Sequence, residues 1–210
     1  MMHQSPDAEP TFGYLSVLET PEHGHFGGYL IVSRLGRPLE FHCTAPVLPS
    51  RAQQILYGPT LRTYLMGEQI AGCLVGAARL TPVLILTDQA DAVGVGNQCD
   101  VPLVLLRAKN VRQKDATTVG TDSGDEASAS GESARAAAVV PWAWSAPFTV
   151  CDYEAQLPYH QEPERQGVVE LLTLLSARVE LDEPFGRIHE AIREAQRIGG
   201  RDHEAHGQAA

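Results

Sequence analysis

Lysine is almost missing from this chain, with Lys109 and Lys114 set against fourteen arginines. That imbalance reads as a genome-composition bias rather than a functional signal. Cysteine is scarce and scattered: Cys43, Cys73, Cys99 and Cys151 form no Cys-x-x-Cys pair. Such spacing speaks against a disulfide framework and for buried, reduced thiols of a cytoplasmic protein. No apolar run approaches the roughly 18 residues of a membrane span. Met1 to Pro10 is polar and lacks the apolar core of a secretory signal. Positive charge is also short. The formal net charge is −10, which argues against broad binding to DNA, RNA or anionic membranes, because phosphate surfaces attract basic proteins. The deficit is uneven. Residues 1–110 hold seven Lys/Arg against nine Asp/Glu, and residues 111–210 hold nine against seventeen.

What is present suffices for a real core. The chain has 210 residues, 43% of them apolar, which fits one domain of ordinary to large size. Residues 1–10 read as a frayed tail. Phe12 to Leu18, Tyr29 to Ser33 and Leu39 to Thr44 are rich in strand formers and read as a three-stranded antiparallel meander. The loop from Thr20 to Gly27 and the turn at Gly36 separate them. Ser50 is placed to cap a short helix over 51–57. Gly58-Pro59 breaks it, and Pro59 opens a second helix reaching about Arg79. That helix is apolar enough to be buried on more than one side. Val83 to Thr87 and Val101 to Leu106 are continuous apolar runs, the pattern of parallel strands covered on both faces.

From Lys109 to about residue 136 the composition collapses to Ala, Ser, Gly, Thr and acidic residues. Such a segment cannot bury enough surface to offset its ordering entropy, and it reads as a disordered acidic insertion. Order returns over 137–200. Trp142 and Trp144 there are expected to cover a core edge, and helices follow over 164–179 and 185–198. Asp182 is placed to cap the second of these helices. Phe185, Ile188, Ile192 and Ala195 form its apolar stripe, Glu183 and Arg187 an i,i+4 pair, and Gly199-Gly200 its expected stop. Residues 201–210 read as a polar tail.

The expected architecture is therefore mixed α/β (α+β): a three-stranded meander, a buried helix, further apolar strands and C-terminal helices. This order resembles the ribonuclease H-like core in topology, over roughly residues 12–107 and the helix at 164–179. The resemblance implies acidic residues that hold two divalent ions around a phosphodiester. Glu19, Glu68 and Asp88 are the nearest candidates. Glu68 falls in an apolar sector of its helix, where a carboxylate needs a partner. Asp88 closes a central strand, where α/β sheets place ligands. Strand one departs from the pattern, carrying Leu15, Ser16 and Val17 where an acid is required.

Two other constellations stand out. Glu22-His23-Gly24-His25, with His42-Cys43 nearby, offers zinc-type donors in the arrangement His-x-His, although solvated loop histidines are the default. Arg34, Arg37 and Arg51 gather around one hairpin in sequence and offer an anion clamp. Gly94 and Gly96 lie too far past their strand for a dinucleotide turn. The leading expectation is a cytoplasmic interaction or accessory protein without catalytic activity and without a cofactor, meeting a protein partner through its C-terminal amphipathic helix. The alternative is a nuclease or phosphodiesterase using Mg²⁺ or Mn²⁺ at Glu68 and Asp88. A zinc hydrolase using His23 and His25 comes third.

Overall fold

The structure, a computed structural model, describes residues 9–21, 23–109 and 143–207. Seven strands form one mixed sheet in the order β3-β2-β1-β4-β5-β7-β6. β1 (Thr11–Thr20), β2 (Gly24–Ser33) and β3 (Pro38–Cys43) make the expected antiparallel meander. β4 (Leu84–Thr87) runs parallel to β1, and β5 (Leu103–Ala108) parallel to β4. β6 (Phe148–Val150) and β7 (Tyr153–Gln156) form a hairpin that joins β5 antiparallel through β7. Cys151 turns this hairpin with a left-handed backbone, φ 52°.

The strand boundaries depart from expectation mainly at β2. It starts at Gly24, so the expected loop over 24–27 is strand, paired with Val17, Leu18, Glu19 and Thr20. Gly24 enters it at φ 82°, a conformation that glycine adopts at no steric cost. Gly36, at φ 76°, closes the β2–β3 turn.

Helices cover both faces. α1 (Arg51–Tyr57) begins at a capping box between Ser50 and Gln53. A 3₁₀ turn, Gly58–Thr60, leads into α2, which spans residues 61–77. The middle of α2, Tyr64–Ala71, is wound as a π-helix, where the sequence implies a plain α-helix. Gly67 sits against the backbone of Asp91 and Gly94, so this segment lies close on the 3₁₀ segment Ala90–Asn97. Leu65, Met66, Ile70 and Leu74 of α2 share one core with Leu15, Val17, Ile31 and Ile85 of the sheet.

The opposite face carries α3 (Arg165–Ser176) and α4 (Glu183–Gly207). Val168, Leu172 and Leu175 with Phe185, Ile188 and Ile192 cover Tyr14, Leu30, Leu84, Leu86 and Val104. Three residues of the expected α4 stripe, Phe185, Ile188 and Ile192, are thus spent on this chain's own sheet, whereas the fourth, Ala195, is exposed. The Glu183–Arg187 pair forms at 2.9 Å. Arg187 also donates to the Gly36 carbonyl, tying α4 to the β2–β3 turn. The helix begins directly after Asp182, whose carbonyl accepts the Phe185 N–H and whose carboxylate accepts the Tyr153 hydroxyl at 2.6 Å. The helix passes through Gly199-Gly200 instead of stopping there, since glycine costs a helix about 1 kcal/mol but, unlike proline, leaves its hydrogen-bond ladder intact.

Two adjacent glycines in β2 set how close the layers come. A Cβ on Gly27 would stand 2.2 Å from Ile70, and one on Gly28 would stand 2.3 Å from Ile188. Neighbouring strand residues face opposite sides. The pair therefore admits α2 on one face and α4 on the other.

Candidate functional site

Ser16 lies in the middle of β1, opposite Gly28 of β2. Its side chain points to the face covered by α4. Because Gly28 lets α4 settle close, His189, one residue past Ile188, reaches this spot. Asp88 follows β4 directly, beside β1. Three elements thus bring three polar groups together.

The Ser16 hydroxyl donates to Asp88 Oδ1 at 2.8 Å and stands 2.8 Å from His189 Nε2. With its O–H directed at Asp88, the hydroxyl oxygen is left to accept from the ring when His189 carries a proton on Nε2. His189 Nε2 and Asp88 Oδ2 are 3.9 Å apart, each side chain about 26% exposed, while Ser16 is fully buried. Burial raises the Asp88 pKa above the usual carboxylate range, against the lowering effect of the Ser16 hydrogen bond and of His189. The order is carboxylate, hydroxyl, imidazole. In an acyl-transfer triad the imidazole sits between the other two and takes the hydroxyl proton. Here the hydroxyl donates its hydrogen bond to the carboxylate instead of to the imidazole, and the hydroxyl is fully buried.

A second cluster occupies the other face at the same end of β1. Arg62 of α2 bonds Glu19 at 2.7 Å and Asp91 at 2.8 Å. His25 Nε2 stands 3.7 Å from Glu19 across the β1–β2 pair. The Arg62 hydrogen bond is the main cause lowering the Glu19 pKa. This network ties α2 to the sheet edge and to the 3₁₀ segment.

Of the residues singled out in sequence, Asp88 alone enters the Ser16 cluster. Glu68 belongs to the π-wound part of α2, across the sheet, and its stem lies against Gly94. His23 sits in the β1–β2 turn, where its backbone N–H bonds Thr20, while the ring of His25 is turned into the sheet edge. Glu22 lies outside the described residues. His42 bonds Glu40 at 2.7 Å. Arg34 pairs with Glu9 at 3.2 Å, and Arg37 lies in the same turn. Arg51 comes after the far end of β3 and bonds Gln54. Trp144 covers a core edge as expected, its indole donating to the Ala90 carbonyl; Trp142 and the insertion over 110–136 lie outside the described residues. The cysteines depart from expectation. Cys43, Cys73 and Cys151 are exposed and only Cys99 is half-buried, because these positions fall on outward faces and turns.

Among the described residues, no group of three or more His, Cys, Asp or Glu side chains is placed to hold a metal ion. Nor is any described helix long and apolar enough to cross a membrane. No protein-family model and no curated protein matches this chain.

Sequence reasoning missed Ser16 and His189. Ser16 was visible only as the residue standing where the resemblance requires an acid. His189 gave one signal: it follows Ile188 on the amphipathic helix and lies at the margin of the apolar stripe.

Proposed function

We propose that this chain is an interaction or accessory protein on a ribonuclease H-like core, one that does not hydrolyse phosphodiesters. The order β3-β2-β1-β4-β5, with β1, β4 and β5 parallel and β2 antiparallel to β1, supports that core. The observation that carries the functional reading is the group beside Asp88. Two-ion phosphodiester chemistry needs clustered carboxylates. A buried hydroxyl and an imidazole stand beside Asp88 instead, and Glu68 belongs to the other layer. These donors do not fit a two-ion site, so no hydrolytic step is assigned to them.

The accessory part of the reading rests on α1. This helix buries none of its residues. Ile55 is 66% exposed and Leu56 82%, and Leu48, in the segment leading into the helix, is 67% exposed. Clustered exposed apolar residues mark protein contact sites, and this strip takes the role expected of α4, whose Phe185, Ile188 and Ile192 are already covered.

A thermal melt with Mg²⁺, Mn²⁺ or Zn²⁺ tests the reading, together with hydrolysis of bis-p-nitrophenyl phosphate. The parent protein should show no metal-dependent shift and no turnover. Ser16→Asp should melt lower at neutral pH, because two adjacent carboxylates resist ionising together, and should regain stability with Mn²⁺. A Mn²⁺ or Zn²⁺ shift in the parent protein that His189→Ala or Asp88→Asn abolishes would place an ion there and overturn the reading.

A further inference from the structure

β3 is the first strand of the sheet, and among the described residues no strand pairs with its outer edge. The phase of its hydrogen bonds is fixed where it leaves β2: the Thr44 N–H donates to the Gly27 carbonyl at 3.0 Å. Bonds in an antiparallel ladder alternate, so a strand turns every second residue toward each neighbour. His42 and Glu40 therefore direct their backbone groups at β2, and Phe41 and Cys43 turn theirs to the open edge. The side chains of Phe41 and Cys43 lie on the α4 side of the sheet, since Phe41 stands opposite Leu30 and Cys43 opposite Gly28. Both remain open to solvent, Phe41 at 39%. Leu39, left over by the bulge opposite Ile31 and Val32, is 46% exposed.

An open edge of this kind is a template for a further strand, and β3 is matched to its own copy. Under a twofold axis through Phe41, an antiparallel second β3 sets Phe41 opposite Phe41 and each Glu40 opposite the other copy's His42. The outward backbone groups of the two Phe41 residues then meet as a hydrogen-bonded pair, the phase that the ladder requires. The phenyl rings adjoin on one face. On the other face carboxylate and imidazole alternate, each Glu40 already holding its own His42 at 2.7 Å. An axis through Glu40 or through His42 would instead set like groups directly opposite, which is unfavourable. We propose that β3 pairs with β3 of a second copy in this register, joining the two sheets across a twofold axis. Pro38 and Pro46 bound the paired stretch, and a symmetric contact uses each edge once, so growth stops at two chains. The edge is short, which places the dimer among small, weak interfaces that dissociate on dilution. This contact is separate from the α1 strip and does not depend on the reading drawn from it.

Sedimentation equilibrium of the full chain under reductant, from micromolar to millimolar concentration, should show a mass rising from one chain toward two. Phe41→Lys sets two like charges on the axis and removes the paired rings. It replaces a partly exposed side chain, so the variant should fold and associate about tenfold more weakly. Leu56→Glu, on α1, should leave the dimer unchanged. Oxidation of Phe41→Cys reads the register. Residues of a hydrogen-bonded pair stand about 5.5 Å apart at Cα, within the reach of a disulfide, so the two new thiols should join across the axis. Cys43 of the parent protein, set opposite Leu39 of the second copy, should not link to its counterpart. A single-chain mass at every concentration, unchanged association in Phe41→Lys, dissociation by Leu56→Glu, or no link at position 41 would each overturn the proposal.

Discussion

Two carboxylates in this molecule respond to acid with opposite sign. Glu40 accepts two backbone N–H groups and bonds His42, and its pKa is lowered to about 2, chiefly by the Arg79 and Leu80 backbone donors and by His42. A depressed folded-state pKa adds stability above the unfolded value, lost as pH falls through the folded one. Asp88 is the reverse: its raised pKa makes its ionisation costly in the fold, so its contribution is best in acid and lost as pH rises through the folded value. Glu40→Gln should therefore flatten the acid limb of a stability–pH curve between about 4.5 and 2, as followed by urea melts. Asp88→Asn should lift stability at neutral pH relative to its effect in acid. Ser16→Ala removes the donor that favours ionised Asp88. It should cost about 1.5–3 kcal/mol, the range for hydrogen bonds to charged groups, and raise the Asp88 pKa further, readable by carboxyl NMR. Tyr14 and Tyr29 carry buried hydroxyls without partners among the described residues, so Tyr14→Phe and Tyr29→Phe should leave the melting temperature unchanged or raise it.

Elements in this fold were legible where periodicity or a breaker residue spoke. The N-cap at Ser50, the turn at Gly36 and the apolar runs of β4 and β5 were all visible as local patterns. Other features were not, for physical reasons. The π-wound stretch of α2 lies against Asp91 and Gly94, far along the chain, and nothing in residues 64–71 announces it. The first half of β2 is hidden by Gly24, Gly27 and Gly28, which look like loop residues locally and earn their place only when two helices press on them. Gly28→Ala tests this packing. The new methyl would meet Ile188 and should cost about 1–3 kcal/mol through overpacking, with His189 displaced from Ser16. Gly27→Ala should cost a similar amount by pushing Ile70, yet leave the His189 NMR signals unchanged. On α1, Leu56→Glu should change stability by no more than about 0.5 kcal/mol, because the residue it replaces touches no core.

At the level of the whole molecule, seven strands lie between two helical layers, and the mixed α/β class follows from the alternation of strand and helix patterns. The candidate site was half visible. Asp88 announced itself by standing at the end of an apolar strand, whereas Ser16 and His189 are joined to it only by tertiary contact. The Ser16–His189 hydrogen bond spans 173 positions along the chain. A ribosome makes β1 early and α4 after all seven strands. Until α4 emerges, the apolar face of β1 and β2 that it covers is bare, and Asp88 lacks its imidazole neighbour. Closing so distant a contact is slow, and uncovered sheet is prone to aggregate while it waits. The nascent protein therefore has a period of vulnerability that lasts until residues 183–192 can fold back, and a chaperone that shields apolar sheet would act in that interval.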